Sequence, residues 1–493
     1  MRNSRSKLST GRIEQGFQSS KLPYSDGQAR GEAQRCLYCH DAPCTKACPA
    51  GVDVPGFIRK ITTGNIKGAA RTIFRANVLG YSCGCVCPVE ALCVGACLLK
   101  LAPAPPVEIG RLQRYATERF VGTPAGAYLL LATGVKRTGR KVALVGAGPA
   151  SLACASHLVS CGHEAVIFEK RDLPGGLNLY GIAPDKLHAD DALREAEWVL
   201  ASGVELRTGV EVGKDVSCER LLEEYDAVFL GVGLGRDSRL GIPGEDGPGV
   251  HGAVETIEKL KLDPAFRLEG LFRASSSTCG PGGAAEAMQI CDMAGAVVIG
   301  GGNTATDIAR ELACLGVRGV TILYRRTEKE RPGYAHELRA ARLAGVRFVE
   351  NTVPVRVLRE RGDAAVGDGR GAVGMAGDAG RESGGTVAEK VGPLKGLLVA
   401  SAEKAKPVAG TECEFPARAV FVAIGQAGMP ELLSRLPGVE SDSSGCVRID
   451  EKTGRTGNPR IFAGGDCVNG GREVVNAVAE GKRAALAIDE MLR

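Results

Sequence analysis

Nine of the chain's 18 cysteines lie between Cys36 and Cys97, in two blocks. Cys36, Cys39, Cys44 and Cys48 read C-x2-C-x4-C-x3-C-P, ending in Cys48-Pro49. Cys83, Cys85, Cys87, Cys93 and Cys97 read C-x-C-x-C-P-x5-C-x3-C, with a second Cys-Pro step at Pro88. Paired blocks of soft ligands on short loops suit two iron-sulfur clusters, each needing about four ligands, mostly thiolates. Three other readings compete. Disulfides require an oxidising compartment, and the N-terminus carries no secretory signal. Structural zinc favours two C-x2-4-C pairs across a knuckle, which the closely spaced Cys83, Cys85 and Cys87 fit poorly. Cys36-Leu-Tyr-Cys39-His40 matches the C-x-x-C-H haem attachment pattern, but that chemistry belongs to exported proteins.

Two glycine-rich turns supply a second chemistry. The apolar run Lys141 to Val145 leads into Gly146-Ala147-Gly148-Pro149-Ala150-Ser151 and a helical segment, and Glu169 closes the next strand 21 residues after Gly148. This is a G-x-G-x-x-S form of the dinucleotide fingerprint: glycines admit a pyrophosphate to the helix N-terminus, and the acid can hold a ribose hydroxyl. A second copy follows the strand Ala296 to Ile299 as Gly300-Gly301-Gly302-Asn303-Thr304-Ala305. Its next strand ends in Tyr324-Arg325-Arg326 instead of an acid, so two guanidiniums stand where they can grip a 2′-phosphate. Near the C-terminus, Ile461-Phe-Ala-Gly-Gly465-Asp466 reads as a strand ending in Gly-Asp, followed by a helix from Glu473 to Ala485.

The elements that must position these groups follow from length and composition. At about 150 residues per domain, 493 residues imply roughly three domains. With 44% hydrophobic and 24% charged residues the chain is globular, so its 68 glycines serve turns and close approaches. A net charge of +5 and only 4% aromatics argue against nucleic-acid platforms and suit small anionic cofactors. No run reaches the ~18 apolar residues of a membrane span. The expected protein is cytoplasmic, binding neither nucleic acid nor membrane. Its expected architecture is α/β: a helical N-terminal iron-sulfur domain, then two Rossmann-like domains, with the NAD(P)H domain inserted in the FAD domain. The boundaries are a disordered leader over 1–25, the helical domain with two [4Fe-4S] clusters over 26–134, the FAD domain over 135–255 and 415–493, and the NAD(P)H domain over 256–414.

These motifs resemble a known family, the NAD(P)H-oxidising FAD and iron-sulfur half of dihydropyrimidine dehydrogenase, itself related to the glutamate synthase small subunit. The resemblance rests on Arg35-Cys-Leu-Tyr-Cys-His-Asp-Ala-Pro-Cys44, Cys83-Gly-Cys-Val-Cys-Pro88, Leu92-Cys-Val-Gly-Ala-Cys97, Ile109-Gly-Arg-Leu-Gln113 and Gly146 to Ser151. It implies one [4Fe-4S] cluster on Cys36, Cys39, Cys44 and Cys97. A second would sit on Cys48, Cys87, Cys93 and Gln113, leaving Cys83 and Cys85 without ligand roles. Gln113 discriminates, because the glutamate synthase branch is expected to carry an acid there. For FAD the resemblance implies Gly146, Ala147, Gly148, Pro149, Ala150, Glu169, Gly175, Gly176, Leu177, Lys186, Val212, Gly465, Asp466 and Val474. For NADPH or NADH it implies Gly301, Gly302, Asn303, Thr304, Arg325, Arg326 and Arg331. Three segments depart from the family: Gly181 to Leu187 is closer to the glutamate synthase side, 363–386 reads as an inserted surface loop, and 275–294 reads as extra length.

The implied activity is that of an electron-input subunit. It oxidises NAD(P)H by hydride transfer to FAD and passes electrons through two [4Fe-4S] clusters to a partner, in a hetero-oligomer, with no catalytic side chain required for the hydride step. The implied partner is an FMN-containing subunit that reduces uracil or thymine, since no segment of typically about 250 residues is left for a (β/α)8 barrel. Two alternatives stand: a glutamate synthase small subunit-like NADPH:acceptor unit, and, in another class, a non-catalytic redox-sensing or assembly protein.

Overall fold

A computed structural model describes residues 8–130, 135–272, 295–360 and 392–493; the loops expected at 275–294 and 363–386 lie outside the described residues. The chain forms two compact units, one from 1–236, 254–266 and 426–493, the other from 237–253 and 267–425.

The first unit opens with short helices at Asp26–Gln34, Val54–Thr62, Ile66–Ala76, Gly80–Val86 and Ile109–Thr117. Ser25, Asp53 and Asn65 cap the first three, each side chain accepting the N–H three residues on, which is why each begins where it does. Phe57, Ile58 and Ile61 share one helical face and bury with Ile73 and Leu112 in a small core. The disordered leader is corrected from residue 8 onward. Glu14 is fully buried, paired with Arg12 and accepting the Ala189 N–H, while Ser20 N donates to Asp185 O at 2.7 Å and Lys21 Nζ to Cys87 O at 2.9 Å. The segment reads as solvated because its anchors are charges, and these charges are satisfied inside the fold.

Fourteen strands are labelled in chain order. They are β1 (Lys141–Val145), β2 (Glu164–Glu169), β3 (Glu205–Thr208), β4 (Ala227–Leu230), β5 (Val250–Gly252), β6 (Ala296–Ile299) and β7 (Thr321–Leu323). They continue with β8 (Arg347–Val349), β9 (Thr352–Arg359), β10 (Leu394–Glu403), β11 (Lys406–Pro407), β12 (Cys413–Pro416), β13 (Ala419–Val422) and β14 (Ile461–Ala463). The first unit contains a parallel sheet in the order β14-β4-β1-β2-β3. Apart from the exposed Lys141 that opens β1, its central strands β1 and β4 are apolar and buried because both faces are covered. Pro149–Ser160 follows β1, and Val474–Leu492, longer than the helix expected over 473–485, packs directly on it. Gly481 permits that contact, since a Cβ there would run into the Ala150 carbonyl oxygen.

The second unit holds a parallel sheet ordered β5-β13-β6-β7-β8 and an antiparallel set in which β10 pairs with β9, β11 and β12. Two expected boundaries are corrected. β13, placed by 415–493 in the FAD domain, hydrogen-bonds between β5 and β6. The helix Ala253–Leu262, placed from residue 256 onward in the NAD(P)H domain, belongs from Val254 onward to the first unit, where the buried Lys261 donates to the carbonyls of Asn178, Ile182 and Leu187 at 3.1, 2.8 and 2.9 Å. Among the described residues no helix is long and apolar enough to cross a membrane.

Candidate functional site: two cysteine cavities and two dinucleotide cradles

The helical layer brings the cysteines into two cavities. Cys36, Cys39, Cys44 and Cys97 line one; Cys48, Cys87, Cys93 and Gln113 line the other, together with Cys83, Asn77 and Val475. Each cavity draws on both sequence blocks. Tyr38 and Asp41 take left-handed backbone (φ 49° and 56°), turning the chain sharply on both sides of Cys39. Burial pushes the Cys44 thiol up to about 11 and the Cys93 thiol to about 12, and raises Cys36 and Cys48 as well. The Cys87 thiol is raised first by its hydrogen bond with Cys83 and then by burial. Thiols so shifted become ligands when a metal centre displaces their protons. The cysteines line two cavities, an arrangement that suits a multi-iron cluster in each.

Gln113 is oriented by its own hydrogen bond. Its Nε2 donates to Gly80 O at 2.7 Å, which leaves Oε1, the end able to ligate iron, for the cavity.

The first dinucleotide cradle forms where β1 and β2 end. Gly146 has φ +89°, and a Cβ there would lie 2.6 Å from Gly231 O. Gly148 caps Pro149–Ser160, with Pro149 and Ala150 in its first turn. Glu169 receives the N–H groups of Ala147 at 2.7 Å and Arg171 at 2.9 Å. Gly175 N donates to Ala147 O at 2.9 Å, and Gly176 closes on Gly148 just before Leu177 opens a helical turn. Val212 packs beneath β1 and β2, and Lys186 lies half-buried beyond Leu177. At the end of β14, Gly465 has φ +81° and Asp466 follows; burial, then Glu480 and Glu473, push the Asp466 carboxyl up to about 6. Val474 begins the C-terminal helix, so Val475 carries this part of the cradle to the wall of the second cysteine cavity.

The second cradle follows β6. Gly302 caps the helix Asn303–Cys314; Asn303 Oδ1 accepts the Tyr334 N–H at 2.9 Å, and Gly333 N donates to Gly301 O at 3.2 Å. Thr304 is half-buried in the first turn. Arg331 folds over the same turn, donating to Tyr334 O at 2.8 Å and Thr306 Oγ1 at 3.4 Å. Arg325 and Arg326 are exposed beyond β7, and a capping box between Thr327 and Glu330 orders the chain beside them.

Residues 140–481 match the pyridine nucleotide-disulphide oxidoreductase family, and residues 12–123 match the family described as dihydropyrimidine dehydrogenase domain II, 4Fe-4S cluster. The chain belongs to the pyridine nucleotide-disulphide oxidoreductases. It is similar to the glutamate synthase [NADPH] small chain of Escherichia coli K12, 35% identical over 474 residues, covering 94% of this chain and 91% of that one. It is also similar to the NAD-dependent dihydropyrimidine dehydrogenase subunit PreT of the same organism, 33% identical over 461 residues, covering 94% of this chain and 93% of that one. Mycobacterium tuberculosis FprA in complex with NADPH shares its fold, with a TM-score of 0.51 at 20% identity over 71% of this chain and 84% of that one. This pyridine nucleotide oxidoreductase is thus an NAD(P)H-dependent subunit using FAD and [4Fe-4S] iron-sulfur chemistry.

Two carboxylates of the oxidoreductase carry functions that motif reading missed. Glu480, a lone acid on an apolar stretch of the C-terminal helix, accepts the Gly465 N–H at 2.7 Å and both Nδ2 bonds of Asn469, fixing the Gly-Asp turn. Its isolation among small residues was the available signal. Glu195, on the helix Ala189–Leu200, is fully buried and accepts the N–H groups of Tyr81 at 2.8 Å and Ser82 at 3.0 Å, and the Ser82 hydroxyl. It caps the helix Gly80–Val86 and fastens the cysteine layer to the α/β part of the first unit, beside the Phe74–Trp198 ring contact at 4.5 Å. No spacing in the sequence announces it.

Burial pushes the Glu195 carboxyl up to about 7, against the opposing pull of its hydrogen bonds to Ser82 and Tyr81. The folded protein therefore holds this proton more tightly than the unfolded chain. The associated stability is complete below the unfolded carboxyl's range and is lost as pH rises through about 7. Relative to Glu195→Gln, the wild type should lose about 2 kcal/mol of unfolding free energy between roughly pH 5.5 and 8.5. Denaturant titrations across that window check it, and parallel pH profiles would contradict it.

Proposed function

We propose that this chain is the electron-input subunit of a pyrimidine-reducing enzyme, oxidising NAD(P)H and supplying an FMN-bearing partner that reduces uracil or thymine in a hetero-oligomer. The observation carrying this reading is Gln113, which offers a neutral amide oxygen to the second cavity where the glutamate synthase branch is expected to offer an acid. Similarity to PreT along 94% of the chain supports it.

FAD held by the first cradle would supply the conversion of a two-electron hydride into single electrons for the iron-sulfur clusters. The chain's residues bind and orient. Gly146, Gly148, Gly301 and Gly302 free two helix N-termini for pyrophosphates; Glu169 holds a ribose; Arg325, Arg326 and Arg331 meet the 2′-phosphate. Asp466, kept at the flavin turn by Glu480, completes the first cradle. Cys48, Cys87, Cys93 and Gln113 hold the cluster on the flavin side, because Val475 joins that cavity to the C-terminal helix. Cys36, Cys39, Cys44 and Cys97 hold the outer one, beside Leu37 and Leu98, which are 60% and 40% exposed. Apolar side chains left in water around a redox centre suit a partner's docking face.

NADPH or NADH consumption with uracil, with and without an FMN-bearing partner, tests the proposal. Dye reduction by the chain alone and uracil turnover only with the partner are expected. Turnover of uracil by the chain alone overturns it. A second reading, the glutamate synthase-like input unit, is favoured by Gly181 to Leu187 and by the 35% identity to that small chain; turnover only with a glutaminase-bearing partner would establish it instead.

A further inference from the structure

Asn77 follows the helix Ile66–Ala76 and is 1% exposed. Its Oδ1 accepts the Leu79 N–H at 2.9 Å. That bond settles which end of the amide is oxygen, because a backbone N–H needs an acceptor. The other end, Nδ2, is buried and has no hydrogen-bond partner. Asn77 lines the second cysteine cavity with Cys48, Cys87, Cys93 and Gln113. A buried donor left unmatched is costly; Val89, Leu92, Gly110 and Val475 offer it no acceptor side chain, and the remaining wall sulfur, Cys83, is already hydrogen-bonded with Cys87. Sulfur carrying negative charge in the cavity would accept it.

The residues between Asn77 and Gly80 organise both amides that reach the cavity. Leu79 N holds the Asn77 oxygen away from it, and Gly80 O holds the Gln113 nitrogen away from it. One amide thus presents N–H and the other presents oxygen, the complementary groups that sulfur and iron require.

We propose that Asn77 is a positioning residue that donates an N–H···S hydrogen bond to the iron-sulfur cluster held by Cys48, Cys87, Cys93 and Gln113, and that this bond raises the cluster's reduction potential. The proposal rests on the cluster reading above. Its physical basis is that a donor aimed at cluster sulfur stabilises the more negative, reduced state.

The test uses the full chain with its clusters in place. Asn77→Leu removes both polar ends without adding charge and carries the potential test; Asn77→Asp keeps an acceptor for the Leu79 N–H, which guards against a folding defect, and because its carboxylate itself lowers the potential it is read through the lost exchangeable coupling. Iron content, redox titration of both clusters, and proton hyperfine couplings of the reduced clusters after exchange into D2O are measured. Both variants should keep the parent's iron. One cluster should show a roughly tenfold smaller reduced fraction at fixed ambient potential, about 59 mV for a one-electron couple, and should lose one exchangeable coupling, while the other cluster is unchanged. Unchanged potentials and couplings in iron-replete variants overturn the proposal and leave the cluster reading intact. A wild-type chain whose iron is unaffected by Cys93→Ser overturns the cluster reading, and the proposal with it.

Discussion

Cys39→Ser should lower the iron content from about eight to about four atoms per chain, and the thermal midpoint of the helical layer with it. Cys39 lines the outer cavity with Cys36, Cys44 and Cys97. Six of the clustered cysteines, among them Cys36, Cys44 and Cys97, pack against the core built on Phe57, Ile58 and Leu112. A cluster there replaces apolar bulk that these short helices lack, so its loss removes folding free energy as well as a redox centre. Serine is nearly isosteric, which separates ligand loss from steric damage. Iron and acid-labile sulfide assays, with calorimetry on the same preparations, check the result. Parent-like iron in the variant would remove Cys39 from the ligand set.

The second large effect concerns coenzyme choice. Arg325 and Arg326 stand exposed beyond β7, on a segment ordered by the Thr327–Glu330 capping box. Hydrogen bonds to charged groups are worth about 1.5–3 kcal/mol each. Arg326→Ala should thus lower kcat/KM for NADPH by about 10- to 100-fold, and the Arg325→Ala, Arg326→Ala pair by more, with NADH spared. The neighbouring Glu328 is occupied by Arg342 at 2.6 Å, which limits its repulsion of a phosphate. Steady-state kinetics with both coenzymes decide it: equal efficiency for NADPH and NADH in the wild type would show that the arginines do not grip a 2′-phosphate.

The cysteine blocks and glycine turns were legible because their chemistry is local. Ligands cluster on short loops, and a fingerprint needs its glycines, helix start and acid at set spacings, as Gly146, Pro149 and Glu169 show. The helical layer and the two Rossmann-like sheets followed from the order of those motifs. Groups acting across the fold were not legible. Glu195 meets Tyr81 and Ser82 more than a hundred positions away, and Glu14 meets Ala189. Neither distance leaves a periodicity. β13 was misplaced for a related reason: Ala-Val-Phe-Val is an apolar strand that either parallel sheet could accept, and only its pairing with β5 and β6 decides. Asn77 looked like an ordinary residue after a helix until the Leu79 N–H fixed its amide.

The path of the chain around Lys261 sets a rule for building chimeras. Nicotinamide specificity could be exchanged between relatives by transplanting the second unit, and a splice at 236 and 426 looks sufficient from the primary structure. It is not, because 254–266 returns to the first unit, and the Lys261 ammonium ties together the carbonyls of Asn178, Ile182 and Leu187, just past Gly175 and Gly176. A graft cut at the outer junctions would import a foreign plug into that loop. The exchangeable cassette is therefore discontinuous, 237–253 with 267–425, and the thirteen-residue helical segment between them must remain with its host.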